Sequence, residues 1–171
     1  LLKDYRQFGG DYEVLHHTQF LAALIGEGRL IIRGELPAAL AGGGGVTYHD
    51  PCYLARVNGV HAEPREVLTR ALNGADGGSL REMSRCREKT SCCGAGGGRM
   101  WLEEKLGTRV NQNRVDEAAA TLGQPGGVVA TGCPFCLTMV KDGIAETGRE
   151  DSLRAMDVAE IVAASLPEAP K

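Results

Sequence analysis

Two adjacent cysteines followed by a run of glycines, Ser91-Cys92-Cys93-Gly94-Ala95-Gly96-Gly97-Gly98-Arg99-Met100-Trp101, constrain this chain more than any other stretch. Neighbouring side chains splay apart in an extended backbone, so both thiols reach one ligand only where the chain bends. Gly94, Gly96, Gly97 and Gly98 permit that bend, because glycine enters positive φ without a steric penalty. They also let backbone N–H groups approach an anion closely. Other cysteines stand at regular distances from this pair: 39 residues separate Cys52 from Cys92, and another 39 separate Cys93 from Cys133. The full pattern is C-x39-C-C-G-x38-C-P-F-C.

Each gap holds about one strand–helix excursion, and the hydrophobic pattern supplies them. Tyr12 to His16 reads as a short strand. Thr18 to Gly26 reads as a helix capped by Thr18, with Phe20, Leu21, Leu24 and Ile25 at helical spacing and Gly28 as its stop. Residues 34–45 end in four glycines, a connector ahead of a strand, whereas a dinucleotide loop follows one. Val46 to His49 reads as a strand closed by Asp50-Pro51, and Arg65 to Leu72 as a helix with Pro64 in its first turn and Asn73-Gly74 as its stop. Ser79 to Met83 is a weaker strand. A long helix is expected from about Met100 to Leu122, with Leu102, Leu106, Val110 and Ala118 near helical spacing, ended by Gly123-Gln124-Pro125-Gly126-Gly127. Val128 to Thr131 reads as a buried strand, Phe135 to Thr147 as a helix, Arg154 to Met156 as a last strand, and Asp157 as the cap of a helix through Ser165.

Strands alternating with helices imply an α/β fold, a mainly parallel sheet flanked by helices. Sites in such sheets gather beyond the carboxyl ends of the strands. Cys52 and Cys133 both directly follow expected strands, which sets them at one edge. The expected organisation is an N-terminal segment, helix and connector over 1–45, a cysteine-rich domain over 46–165 and a tail over 166–171.

A net charge of −3 gives no reason to expect nucleic acid or an anionic membrane as partner. No apolar run approaches the roughly 18 residues of a membrane span. The start, Leu1-Leu2-Lys3-Asp4-Tyr5, lacks both a secretory pattern and an initiator Met, so the chain reads as part of a longer protein. Six cysteines would make a disulfide framework in a short secreted domain. Here 171 residues with 43% hydrophobic content can build a core, so metal or redox chemistry is expected instead.

Thiolates are soft ligands suited to zinc or iron–sulfur clusters. Both a tetrahedral zinc and an ordinary four-iron cluster take four. Five converging cysteines are one too many, so either one is a spectator or the cluster accommodates a fifth thiolate. Cys86, among Ser84, Arg85, Arg87 and Glu88, lies outside the symmetric spacing and reads as a bystander. The clustered negative charge calls for compensation by glycine-loop N–H groups (Gly94, Gly96, Gly97), by the helix expected after Gly98, and by Arg99.

Three motifs carry a resemblance: His49-Asp50-Pro51-Cys52-Tyr53-Leu54, the Cys92–Trp101 run, and Thr131-Gly132-Cys133-Pro134-Phe135-Cys136. With His16-His17-Thr18 they resemble the cysteine-rich CCG domain of heterodisulfide reductase B and D subunits, and the C-terminal part of glycolate-oxidase and lactate-utilisation iron–sulfur subunits. The wording is most similar to membrane-bound iron–sulfur reductases that accept electrons from electron-transfer flavoprotein. The similarity runs from about Asp11 to Ser165. It implies a 4Fe-4S iron–sulfur cluster, of the unusual five-cysteine type, on Cys52, Cys92, Cys93, Cys133 and Cys136, with zinc or a conventional cluster as the alternative. It further implies that the chain is the second CCG domain of a longer oxidoreductase, beside ferredoxin-type clusters and a first CCG domain. That parent would relay electrons from a flavoprotein toward quinone at the cytoplasmic face of a membrane, the fragment alone being inactive. Disulfide reduction at the cluster and a non-catalytic zinc-binding interaction domain are the other readings. A cysteine at position 86 departs from the family pattern.

Other residues carry competing readings. Cys133-Pro134-Phe135-Cys136 resembles a glutaredoxin site, but dithiol exchange leaves Cys52, Cys92 and Cys93 unexplained. Gly94–Arg99 nearly spells a dinucleotide fingerprint but has Arg99 where the last glycine belongs. His49 is placed to hydrogen-bond a cluster sulfur or to end a strand. His16 or His17 could reach the same edge. His61 is expected at the surface, Trp101 packed against the glycine loop, and Glu103 and Glu104 on a solvated helix face.

Overall fold

A computed structural model describes residues 3–32, 43–72, 80–104, 107–123 and 125–167. Four strands form one wholly parallel sheet: β1 (Val46–His49), β2 (Leu80–Arg81), β3 (Gly127–Thr131) and β4 (Leu153–Asp157), in the order β2-β1-β3-β4. Among the described residues five α-helices accompany them: α1 (His17–Gly26), α2 (Ala62–Leu72), α3 (Val110–Leu122), α4 (Pro134–Glu146) and α5 (Val158–Ala164). The expected α/β architecture is what the chain adopts.

The alternation of side chains along a strand makes two cores from one sheet. Val46, Tyr48, Val128 and Ala130 point to one face, where they meet Ala22 of α1, Val67, Leu68 and Ala71 of α2, and Val158 and Ile161 of α5. Val129 and Leu153 point to the other and meet Val115, Ala118 and Leu122 of α3 and Val140 and Ile144 of α4. Every residue of β1 and β3 is buried, as expected of a parallel sheet covered on both faces. Each buried Val, Leu or Ile contributes roughly 1.5–3 kcal/mol.

The strand order creates a switch point. From β1 the chain leaves through α2 to β2 on one side; from β3 it leaves through α4 to β4 on the other. Between the adjacent carboxyl ends of β1 and β3 the connections part, opening the crevice where α/β sheets bind ligands. His49 and Thr131, the last residues of these strands, are partners in the register.

Several expectations are corrected. Residues 12–16 form no strand: Tyr12 is 64% exposed and no described strand pairs with this segment. The cap of α1 is His16, not Thr18. Its imidazole accepts from the Thr18 N–H at 3.3 Å, while the His16 N–H donates to Gln19 Oε1 at 3.1 Å. The long helix from Met100 does not exist. Gly96–Trp101 is a 3₁₀ turn with Gly97 (φ 65°) and Gly98 (φ 74°) left-handed inside it, and Gly107 is left-handed again, so a helix propagates only from Val110. The cap at Asp157 holds, its carboxylate accepting from Ala159 N–H at 2.8 Å. Of the positions named from the sequence, Leu106, Asn73-Gly74, Ser79, Gln124, residues 34–42 and most of the tail lie outside the described residues.

Candidate metal centre

Four of the five spaced cysteines, Cys52, Cys93, Cys133 and Cys136, come together beyond the carboxyl ends of β1 and β3, and Cys92 adjoins Cys93 in the chain. Cys52 opens a π-helical turn, Tyr53–Val57, three residues beyond β1. Cys133 is the N-cap of α4, two residues beyond β3, and Cys136 lies one turn into that helix. Pro134 at the first helical position starts α4 without a lost hydrogen bond. Cys93, Cys133 and Cys136 pack with Met139, Ala95 and Met100 as a small cluster above the sheet. The Cys136 thiol donates to Cys93 Sγ at 3.3 Å, and Cys92 Sγ accepts from the Gly94 N–H at 3.3 Å. Cys52, Cys93, Cys133 and Cys136 line one cavity of about 550 Å³ together with Gly96, Gly97 and Gly98. All six cysteines are free thiols, and Cys86 lies elsewhere, acted on by Glu82, Arg65 and Asp50.

The bend at the pair is provided by Gly94. Its φ is +95°, and a Cβ there would stand 3.3 Å from Met139 Cε and 3.4 Å from Val110 Cβ. The loop is thus fixed from two sides.

The electrostatics favour thiolates unequally. The hydrogen bond from Cys136 lowers Cys93, against burial, with His49 and the Ala95 N–H helping. Cys133 is lowered to about 6 by the Cys136 thiol and by the N–H groups of Cys136 and Phe135 at the start of α4. Cys136, the shared donor, is raised. Burial raises Cys52, and the Cys92 and Cys93 sulfurs add to it. Compensation by a helix start therefore comes from α4 at Cys133, not from the missing helix after Gly98. Arg99 is half-exposed and paired with Glu104. Glu103 and Glu104 lie outside any helix, and Trp101, expected in the core, is 80% exposed at the cavity mouth beside Tyr53 and Phe135.

The surroundings lock these positions. Asp50, fully buried, accepts from Arg65 Nη1 and Nη2 at 2.8 Å each and from the Arg87 N–H at 2.8 Å. Arg65 also donates to Glu82 at 2.5 and 2.9 Å. The Thr90 hydroxyl donates to the Asp50 carbonyl at 2.9 Å. Asp50 thereby ties the end of β1 to α2 and to the segment that delivers Cys92. Arg87, directly after Cys86, holds a φ of 54° while making its bond to Asp50. His16 Nε2 donates to the Gly132 carbonyl at 2.9 Å, joining the start of α1 to the peptide before Cys133. His61, half-buried, sits 2.8 Å from Glu88.

The donors present fit a soft metal centre. Four cysteines line one cavity. His49, Cys93 and Cys136 bring a ring nitrogen and two sulfurs within 4.8 Å of one another. Among the described residues, the buried atoms His49 Nε2 and Tyr48 OH of β1 and Thr131 Oγ1 of β3 have no hydrogen-bond partner, each an unsatisfied group that costs about 1–3 kcal/mol.

Residues 46–141 match the model of the CCG cysteine-rich domain. The chain belongs to the CCG family. It is 41% identical over 169 residues to the EtfAB:quinone oxidoreductase of Syntrophomonas wolfei, covering 95% of this chain and 22% of that protein. It is 43% identical over 163 residues to the probable iron–sulfur-binding oxidoreductase FadF of Bacillus subtilis, covering 95% and 21%. The dihydromethanophenazine:CoB–CoM heterodisulfide reductase of Methanosarcina barkeri contains a polypeptide 36% identical over 155 residues, covering 91% and 34%. The chain therefore spans about a fifth of the length of the first two. No solved structure matches it significantly. Each of these relatives is, by name, an oxidoreductase or a component of one.

The sequence does not single out Arg114, Arg65 or Glu117 of this CCG domain. Each occupies a position that reads as the polar side of an amphipathic helix, and only the partner from a distant segment makes burial tolerable.

Proposed function

We propose that this CCG domain holds an iron–sulfur cluster of the four-iron type on Cys52, Cys92, Cys93, Cys133 and Cys136, and relays electrons inside a larger oxidoreductase. The reading is carried by the meeting of three distant segments' sulfurs at the sheet's switch point. Bound there, the cluster supplies one-electron chemistry. The chain's own part is to orient the sulfurs through the Gly94 bend and the α4 cap, to balance their charge with N–H groups, and to bury them from water. Kinship with a quinone oxidoreductase named for an electron-transfer flavoprotein supports a flavoprotein donor and a quinone acceptor. Ferredoxin-type clusters, a first CCG domain and membrane attachment belong, in this reading, to other parts of the parent protein. Among the described residues no helix is long and apolar enough to cross a membrane. The cluster-bearing domain runs, in the same reading, from residue 46 to 165, between the N-terminal segment and the tail.

Anaerobic reconstitution tests it. Iron and sulfide bound in comparable amounts, with a charge-transfer absorption and an EPR signal, are expected, and a Cys→Ser change at any of the five positions should reduce them. Cys86→Ser should not. A colourless protein holding one zinc and no sulfide would replace the cluster with a structural zinc.

A further inference from the structure

The ring of His49 sits at the edge of the sulfur cluster and offers two possible services, metal ligation or hydrogen-bond donation. Its neighbour decides between them. Arg114 Nε lies 2.8 Å from His49 Nδ1. A guanidinium nitrogen only donates, so Nδ1 must present its lone pair. The one proton of the neutral imidazole then resides on Nε2, which is buried without a hydrogen-bond partner among the described residues, on a ring that brings a nitrogen within 4.8 Å of the Cys93 and Cys136 sulfurs. Ligation through Nε2 would require the opposite tautomer, with Nδ1–H aimed at an N–H donor.

We propose that Arg114 is a positioning residue that locks His49 as an Nε2–H donor to the Cys93 sulfur, so that His49 tunes the metal centre without ligating it. Arg114 is itself fixed. It is 1% exposed on α3, and its Nη1 donates to Glu117 Oε2 at 2.8 Å and to the Arg85 carbonyl at 3.0 Å. Glu117 is held in turn by the Ser84 hydroxyl and the Arg85 N–H, each at 2.8 Å. The guanidinium plane has no freedom to turn its Nε away. A chain Glu117–Arg114–His49–Cys93 thus runs from the helix surface to the site. An N–H aimed at a thiolate stabilises the form with more negative charge, which is the reduced one. No proton transfers; the bond only strengthens as one electron arrives.

The direction of the potential rests on the cluster reading, whereas the ring's protonation does not. Two measurements separate them. In the metal-free chain, imidazole 15N shifts should show Nε2 protonated and Nδ1 unprotonated for His49 near neutral pH, and Arg114→Met should mix the tautomers. In the reconstituted chain, EPR-monitored redox titration should give His49→Phe a lower midpoint potential at unchanged iron and sulfide content. His49→Gln, whose amide can still donate near the Nε2 position, should recover most of the shift. A merely structural role would lower iron content without moving the potential of the clusters that form. Protonated Nδ1 in the wild-type chain would overturn the proposal, as would an unchanged potential in His49→Phe with full iron and sulfide. If the wild-type chain takes up no iron or sulfide, the cluster reading falls, and the 15N spectrum alone decides the tautomer. The spectrum of the wild-type chain also decides it should Arg114→Met fail to fold.

Discussion

At the scale of single residues, buried charge is the feature with the largest stakes. Asp50 takes two bonds from Arg65 and one from the Arg87 backbone with none of its side chain exposed. Removing it leaves a guanidinium that is only about a tenth exposed with its pair to Glu82 still in place; breaking a buried pair outright costs about 3–5 kcal/mol, so the loss here falls toward the lower end of that range. Asp50→Ala should therefore lower the unfolding free energy from urea titration strongly, while Arg29→Ala, whose pair with Glu27 is open to solvent, should change it by less than about 1 kcal/mol. Glu117 gives the pH counterpart. Burial alone would raise its carboxyl, but the Arg85 N–H, the Ser84 hydroxyl and the Arg114 guanidinium together hold it at about 2, against an ordinary 4.5. The folded value is the lower one, so this stabilisation is complete above pH 4.5 and is lost as pH falls toward 2. Glu117→Gln should cost about 1 kcal/mol at pH 7. In urea titrations at a series of pH values, the gap between variant and wild type should close as pH approaches 2. A gap constant with pH would mean that the carboxylate's charge is irrelevant.

At the scale of elements, the glycine loop separates what composition reveals from what it hides. Gly94→Ala places a Cβ at φ +95° against Met139 and Val110, a strain on the order of 1–3 kcal/mol, and should weaken both stability and iron retention. Gly96→Ala, with nothing within 4 Å of its Cβ, should leave both nearly unchanged. Chemical denaturation and iron analysis of the two variants check this. The strands were legible because Val46-Thr47-Tyr48-His49 and Val128-Val129-Ala130-Thr131 are short apolar runs bounded by glycine and proline. That Cys52, Cys93, Cys133 and Cys136 line one cavity agrees with a spacing that matches the strand–helix repeat. The start of α3 was not legible, since Leu102, Leu106 and Val110 keep helical spacing while Gly97 and Gly98 turn left-handed ahead of them and Gly107 between the last two. Sequence spacing records apolar period but not the sign of φ. Nor could it show that His16 caps α1 and also bonds Gly132, because that second partner lies 116 residues away.

For the whole molecule, the question is how far the fold depends on its metal. The two cores on either face of the sheet contain no cysteine, whereas the sulfur cluster above them consists of Cys93, Cys136 and Met139 with few neighbours. Small metal domains unfold without their ion because nothing else closes them. Among the described residues the four strands and five α-helices pack through two cores that contain no cysteine. The metal-free chain should keep the far-UV circular dichroism of an α/β fold, and amides of β1 and β3 should stay protected from hydrogen exchange. Loading the centre adds stability only through binding to the folded arrangement, raising the thermal midpoint as ligand linkage requires. The gain in exchange protection should be confined to residues 52–57, 92–101 and 133–136, whose backbone carries the proposed sulfur ligands. A metal-free chain that exchanges throughout the sheet would show that the two cores are insufficient. The sulfur layer would then be a third of the fold rather than a site built upon it.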